Sequence, residues 1–162
     1  MRDASILTRN LKLETRNWLR YWLPALAWAA ALVFIFSTGA FSAEHTGRIL
    51  RPLLEWLFGA ITEARFLLIQ FLVRKSAHVI VYATLSALWF RALRGSHSGW
   101  RSSWALVALL VSVLVAISDE FHQSLSPSRT GTSWDVLLDT FAAFLVQAAF
   151  AVTARRAPQP QA

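Results

Sequence analysis

The acidic residues in the second half of the chain are gathered in one short stretch, AISDEFHQSLSPSRTGTSWDVLLDT. After Glu63 the sequence contains four carboxylates, and all of them lie there, namely Asp119, Glu120, Asp135 and Asp139. The sequence on both sides of this stretch is strongly apolar. Carboxylates in such surroundings can hold a cation or a proton, or accept hydrogen bonds from a polar ligand. The stretch therefore indicates a polar site within an apolar protein.

Three predicted helices each carry a polar stripe, because residues three or four positions apart lie side by side on one helix face. The stripes are Lys75, His78 and Tyr82; Asp119 and Gln123, with Glu120 on the adjoining flank; and Asp135 with Asp139. Most of these residues also have a purely structural interpretation, such as a lysine that reaches the membrane interface or an aspartate in a first helical turn. Asp139 is the hardest to explain in that way, because a carboxylate one turn inside a membrane span is costly.

The composition is that of a membrane protein. The chain has 162 residues, 56% of them hydrophobic, and charged residues are only 15%, below the roughly 25% usual in soluble chains. The absence of Cys excludes disulfides, thiolate metal sites and Cys nucleophiles. The net charge of +7 comes from bases that flank apolar runs, which indicates anionic lipid and membrane topology rather than nucleic acid.

Four apolar runs predict four transmembrane helices, since roughly 20 apolar residues cross a bilayer. They are 21–43, 76–93, 103–118 and 134–154. A signal peptide is the alternative for the first run, and a buried soluble helix is the alternative for each of the others taken alone. We predict an all-α integral membrane bundle of four transmembrane helices.

The segment 49–73 predicts an amphipathic helix that lies in the membrane interface between the first two spans. Its apolar stripe consists of Leu50, Leu53, Leu54, Leu57 and Ile61. Charged residues occur too often in the segment for it to cross the bilayer at low cost. Direct continuation of its second half into the second span, and a fifth crossing, are the alternatives.

Basic residues predict the orientation. The regions 1–20, 91–101 and 155–156 contain ten of the 16 basic residues, so we expect both termini in the cytoplasm. The starts of spans two and four and the end of span three then meet in an outward-facing polar pocket. The predicted organisation is a basic cytoplasmic segment at 1–20, a transmembrane domain at 21–154 and a disordered tail at 155–162.

Two motifs, RKSAHVIVYATL and AISDEFHQSLSPSRTGTSWDVLLDTFAAF, resemble those of the VanZ-like membrane proteins, a family named for an accessory protein of teicoplanin resistance. The resemblance covers residues 20–153. The family pattern carries over to Arg74, Lys75, His78, Tyr82, Asp119, Glu120, Gln123, Arg129, Asp135 and Asp139. Ser128 stands where Gly is common, and Ala142 with Ala143 replaces a frequent Gly-Ala pair.

The resemblance implies a bacterial cytoplasmic membrane protein of the cell envelope that acts near lipid-linked wall precursors, with a link to glycopeptide resistance. In this interpretation the pocket binds a lipid or wall-precursor headgroup. Lys75 and Arg129 hold an anionic group, and the carboxylates orient these bases or bind sugar hydroxyls. Membrane lipids are the expected partners, nucleic acid is not expected, and a homo-oligomer stays open.

The alternative is a membrane enzyme acting on a lipid phosphate. The segment SRTGTSWDVLLD is similar to the third motif of type 2 phosphatidic acid phosphatases, but Asp135 occupies the position of the histidine nucleophile and a PSGH motif is missing. Two further alternatives are proton-coupled transport and a metal site. The metal site would use His78, His122, Asp119, Glu120 and Asp135, but the spacing does not support it, and we expect no metal or other cofactor.

Overall fold

A computed structural model describes residues 2–37, 43–125 and 132–156, with the side chains of 14–34, 44–125 and 132–156. Within these residues the structure is all-helical and has no strand. Its five helices are α1 (Arg2–Ser37), α2 (Ala43–Phe58), α3 (Glu63–Arg94), α4 (Ser102–Ser124) and α5 (Ser133–Arg156). The first two residues of the predicted tail therefore belong to α5.

Three of the described helices, α3, α4 and α5, are long and apolar enough to cross a membrane. They contain the predicted spans 76–93, 103–118 and 134–154, and each helix extends beyond the apolar run. The extension of α4 to Ser124 matters for the site, because Asp119, Glu120 and Gln123 are thereby helical.

Helix α1 joins the basic N-terminal segment and the first apolar run in one continuous helix. It runs antiparallel to α3, because Trp22 meets Trp89 edge to face while Leu32 packs against Tyr82 and Leu85 further along. The predicted first span, 21–43, continues past the end of α1 into residues outside the described part.

The segment 49–73 is not a single helix. Helix α2 ends at Phe58 and α3 begins at Glu63, so the second half of the segment continues directly into the second span. The break lies at Gly59, whose φ of 75° is in the left-handed region that favours glycine and whose N–H donates to the carbonyl of Glu55 at 2.9 Å. The physical cause is this glycine cap, which the apolar stripe does not reveal.

Small and polar side chains hold α3, α4 and α5 together. Ala108 on α4 and Ala143 on α5 are fully buried, and small residues let membrane helices approach closely. On α3 the Ser86 hydroxyl donates to the carbonyl of Ala143 at 3.1 Å, while the Gln147 amide donates to the Ser86 hydroxyl at 2.7 Å. These bonds fix α5 against α3 and set the relative height of their polar stripes.

Candidate functional site

The three predicted polar stripes meet at one end of the bundle. The first turns of α5 and the end of α4 lie beside the middle of α3, because α5 runs parallel to α3 while α4 runs antiparallel to both. We use the name polar cluster for the described residues that this arrangement brings together, which are Lys75, His78, Tyr82, Asp119, Glu120, Gln123, Asp135 and Asp139.

An ion pair joins α3 to the start of α5. The Lys75 ammonium contacts Oδ1 of Asp135, and their side chains are 29% and 14% exposed. Lys75 also lies 5.5 Å from the centre of the Phe71 ring. In this pair a carboxylate of the cluster orients the Lys75 ammonium. The partly buried position of the pair gives it more weight than a surface pair.

A histidine and an aspartate meet one turn deeper. Nδ1 of His78 lies 3.3 Å from Oδ2 of Asp139, and Asp139 is only 2% exposed. The imidazole also stacks on the ring of Tyr82, with 6.3 Å between centroids and 19° between planes. With Nδ1 donating to the carboxylate, Nε2 is the basic nitrogen of the neutral imidazole.

Helix α4 contributes the remaining side of the cluster. Asp119 and Gln123, one turn apart, are 6% and 5% exposed. The Asp119 carboxyl group is close enough to His78 and Tyr82 to interact electrostatically with both side chains. Glu120 is half-buried and interacts with Asp135 and with the backbone of Thr132, just before α5.

Several polar atoms of the cluster are buried without a hydrogen-bond partner of good geometry among the described residues. They include Oδ1 of Asp139, Oε1 of Glu120 and the hydroxyl of Tyr82, although the Tyr82 hydroxyl is close to Asp119. Buried acceptors without donors are costly. The cluster also has more carboxylates than cationic groups, so its chemistry favours ligands that donate hydrogen bonds.

Of the residues in the sequence hypotheses, His122 is not part of this arrangement. His122 is exposed, and its Nδ1 lies 2.7 Å from the carbonyl oxygen of Ser118. When Nδ1 carries the proton, it donates a hydrogen bond to this carbonyl of its own helix. Arg129 belongs to the segment 126–131, outside the described residues. In the described part of the chain no three His, Asp or Glu side chains have the geometry to hold a metal ion.

Ser86 and Gln147 are not among the candidate site residues that the sequence predicts. Ser86 and Gln147 are polar residues in the middle of apolar runs, which is a signal that can be read from the sequence. The backbone of Thr132 forms a hydrogen bond to the Glu120 carboxyl group. Any residue type can make a backbone contact, so the sequence does not predict it.

These features define a helical membrane protein with a polar cluster at one end of its spans. The family model for VanZ/LLP1 matches residues 21–153, and the chain belongs to this family. The two quoted motifs, which carried the resemblance, lie within the matched range. No curated protein and no solved structure gives a significant match to the chain.

Proposed function

We propose that the protein is a four-pass VanZ-like protein of a bacterial cytoplasmic membrane, with both termini in the cytoplasm. The fourth crossing would be α1, whose apolar half packs along α3 from the level of Trp89 to the level of Tyr82. Trp28 supports this placement, because its Nε1 donates to the carbonyl of Val81 at 3.2 Å. An odd number of crossings would separate the basic N-terminal region from the basic end of α5.

Single cysteines can test this orientation, because the chain has no Cys of its own. Ser124 and Ser98 are exposed residues at the two opposite ends of α4. We expect a membrane-impermeant maleimide to label Ser124→Cys in intact cells and to label Ser98→Cys only after the membrane is permeabilised. The reverse pattern would invert the orientation and place the polar cluster in the cytoplasm.

In the same proposal α2 lies in the membrane interface. It packs against α3 and no other described helix. Ile49, Trp56 and Phe58 are 75%, 80% and 74% exposed, so their apolar surface needs lipid. The ion pair between Arg51 and Glu63 holds α2 against the start of α3.

The polar cluster is proposed to bind the headgroup of a lipid or of a lipid-linked wall precursor at the outer membrane face. The observation that carries this proposal is the set of buried acceptor atoms on Asp139 and Glu120 that lack donors among the described residues. Hydroxyl and ammonium groups, as in sugar and amino-sugar headgroups, supply such donors. Binding a wall precursor would give the protein a role in glycopeptide susceptibility, including that to teicoplanin.

Native mass spectrometry of the purified protein tests headgroup binding. Glu120→Gln removes a charge but keeps the side-chain shape. Because hydrogen bonds to charged groups are the stronger ones, we expect it to lower retention of the co-purifying lipid class about tenfold. Glu44→Gln is the matched control, since Glu44 is exposed and pairs with Arg48 on α2. Equal retention in wild type and both variants would contradict headgroup binding at the cluster.

A lipid-phosphate enzyme is the second candidate, and the His78–Asp139 pair favours it. A carboxylate that orients an imidazole is a common arrangement for general acid–base catalysis. In this mechanism His78 would activate water or protonate a leaving group at a bound phosphate ester. Release of phosphate from phosphatidic acid by wild type, lost in His78→Gln, would favour the enzyme over the binding protein.

A further inference from the structure

A cavity lies at the end of the bundle opposite to the polar cluster. It has a volume of about 490 Å³ and lies between the last turns of α3, the loop that follows α3, and the last turns of α5. The distance along α3 from Lys75 to Arg94 is about 28 Å at a rise of 1.5 Å per residue, close to the thickness of a bilayer core. The cavity therefore faces the other membrane surface, and its size is that of a ligand site.

Two polar groups that line the cavity are buried hydrogen-bond donors with no acceptor among the described residues. Arg91, Arg94 and Trp100 line it. Nε of Arg94 and Nε1 of Trp100 are buried and have no hydrogen-bond partner among the described residues. The Arg91 guanidinium is positioned by the Tyr21 ring, whose centre is 5.4 Å away. A ligand that offers several acceptor atoms would satisfy these donors.

The charge of this cavity is positive and is not neutralised by the described carboxylates. Neither Arg91 nor Arg94 forms an ion pair with an acid in the described part of the chain. The rest of the lining is mainly apolar and includes Phe90, Phe150 and Leu88. Two guanidinium groups beside an apolar wall attract an anion strongly, because the wall lowers the local dielectric constant.

We propose that this cavity binds the phosphate group of an anionic phospholipid. Guanidinium groups present forked N–H donors that match phosphate oxygens, and the indole N–H adds a third direction. The apolar lining suits the glycerol and upper acyl part of a lipid, which a free phosphate lacks. The site is separate from the polar cluster and would fix the height of the bundle in the bilayer.

The test uses the full chain in nanodiscs and compares phosphatidylglycerol, phosphatidylcholine and inorganic phosphate as probes. We expect the double variant Arg91→Gln/Arg94→Gln to lower phosphatidylglycerol binding at least about tenfold, because each arginine contributes charge-assisted hydrogen bonds. Trp100→Phe, which removes only the indole N–H, should lower it by a smaller factor. The matched control is Arg155→Gln/Arg156→Gln, which removes two exposed arginines from the same end of the bundle.

The outcomes are distinct. Selective loss in the Arg91/Arg94 variant, with phosphatidylcholine binding unchanged, supports the site. Equal loss in the Arg155/Arg156 control means diffuse attraction to the membrane surface and overturns the proposal. Binding of inorganic phosphate without phosphatidylglycerol overturns the lipid source. If the double variant is not recovered folded, Trp100→Phe and Arg94→Lys decide, since wild-type binding in both would also overturn the proposal.

Discussion

Asp135→Ala is expected to lower the free energy of unfolding of the detergent-solubilised protein by about 2 kcal/mol. Removing one member of a fully buried ion pair costs ~3–5 kcal/mol, while an exposed pair contributes about 0–1. The side chains of Lys75 and Asp135 are 29% and 14% exposed, so the expected value lies between these limits. The loss arises mainly because the Lys75 ammonium would lose the carboxylate that it contacts between α3 and α5.

A double-mutant cycle separates this pair from the packing of Asp135. Lys75→Met removes the cation with little change in length, so Lys75→Met/Asp135→Ala should recover part of the loss. Glu44→Ala serves as the control, because its pair with Arg48 is 67% and 70% exposed and its loss should be small. A change in melting temperature for Asp135→Ala no larger than for Glu44→Ala would place Asp135 in open water.

The convergence of the polar residues could be predicted from their spacing. Residues three or four apart on a helix share a face, and antiparallel spans bring the start of one helix beside the end of the next. His78 and Asp139 are 61 positions apart in the sequence. Their proximity nevertheless follows from the polar stripes and from the order of the helices. The contact is predictable because the membrane limits how far one helix can slide along another.

The path of the chain between α1 and α3 could be predicted only in part. The apolar stripe of 49–73 indicates a helix but gives no position for its end. Helix α2 ends just before Gly59. Helix α3 begins after Thr62, which is extended, with φ −70° and ψ 150°. A glycine followed closely by Thr-Glu is a recognisable stop and start signal, so this break could have been found.

Other features depend on side-chain directions that spacing does not determine. His122 lies three residues after Asp119, a spacing that allows both on one face, yet it is exposed and bonds to its own helix. The arginine-lined cavity depends on where tertiary packing places Trp100 and Phe150, which both line it. Such an arrangement comes from tertiary packing and has no periodic signal in the sequence.

Asp139→Asn is expected to leave the fold intact and to abolish headgroup retention and any effect of the protein on glycopeptide susceptibility. The substitution keeps the side-chain shape, and the Asn oxygen can still accept a hydrogen bond from Nδ1 of His78, 3.3 Å away in the wild type. A purely structural bond between α3 and α5 would therefore survive. The substitution removes the carboxylate charge, and the cluster thereby loses a strong hydrogen-bond acceptor.

The charge is expected to matter because a carboxylate is an expensive way to make one hydrogen bond inside a membrane. An Asp at the centre of a span costs ~2.5–3.5 kcal/mol on insertion scales, and less near the interface, whereas Asn bonds at lower desolvation cost. Asp139 is 2% exposed, and its Oδ1 has no partner among the described residues, so its full acceptor capacity is not used within the fold. Complementation of a deletion strain, scored by drug sensitivity and lipid profile with expression checked by blot, measures the outcome. Glu44→Gln removes a carboxylate from α2, outside the cluster, and should keep the phenotype. A fully active Asp139→Asn protein would reduce the His78–Asp139 contact to a structural link between two helices.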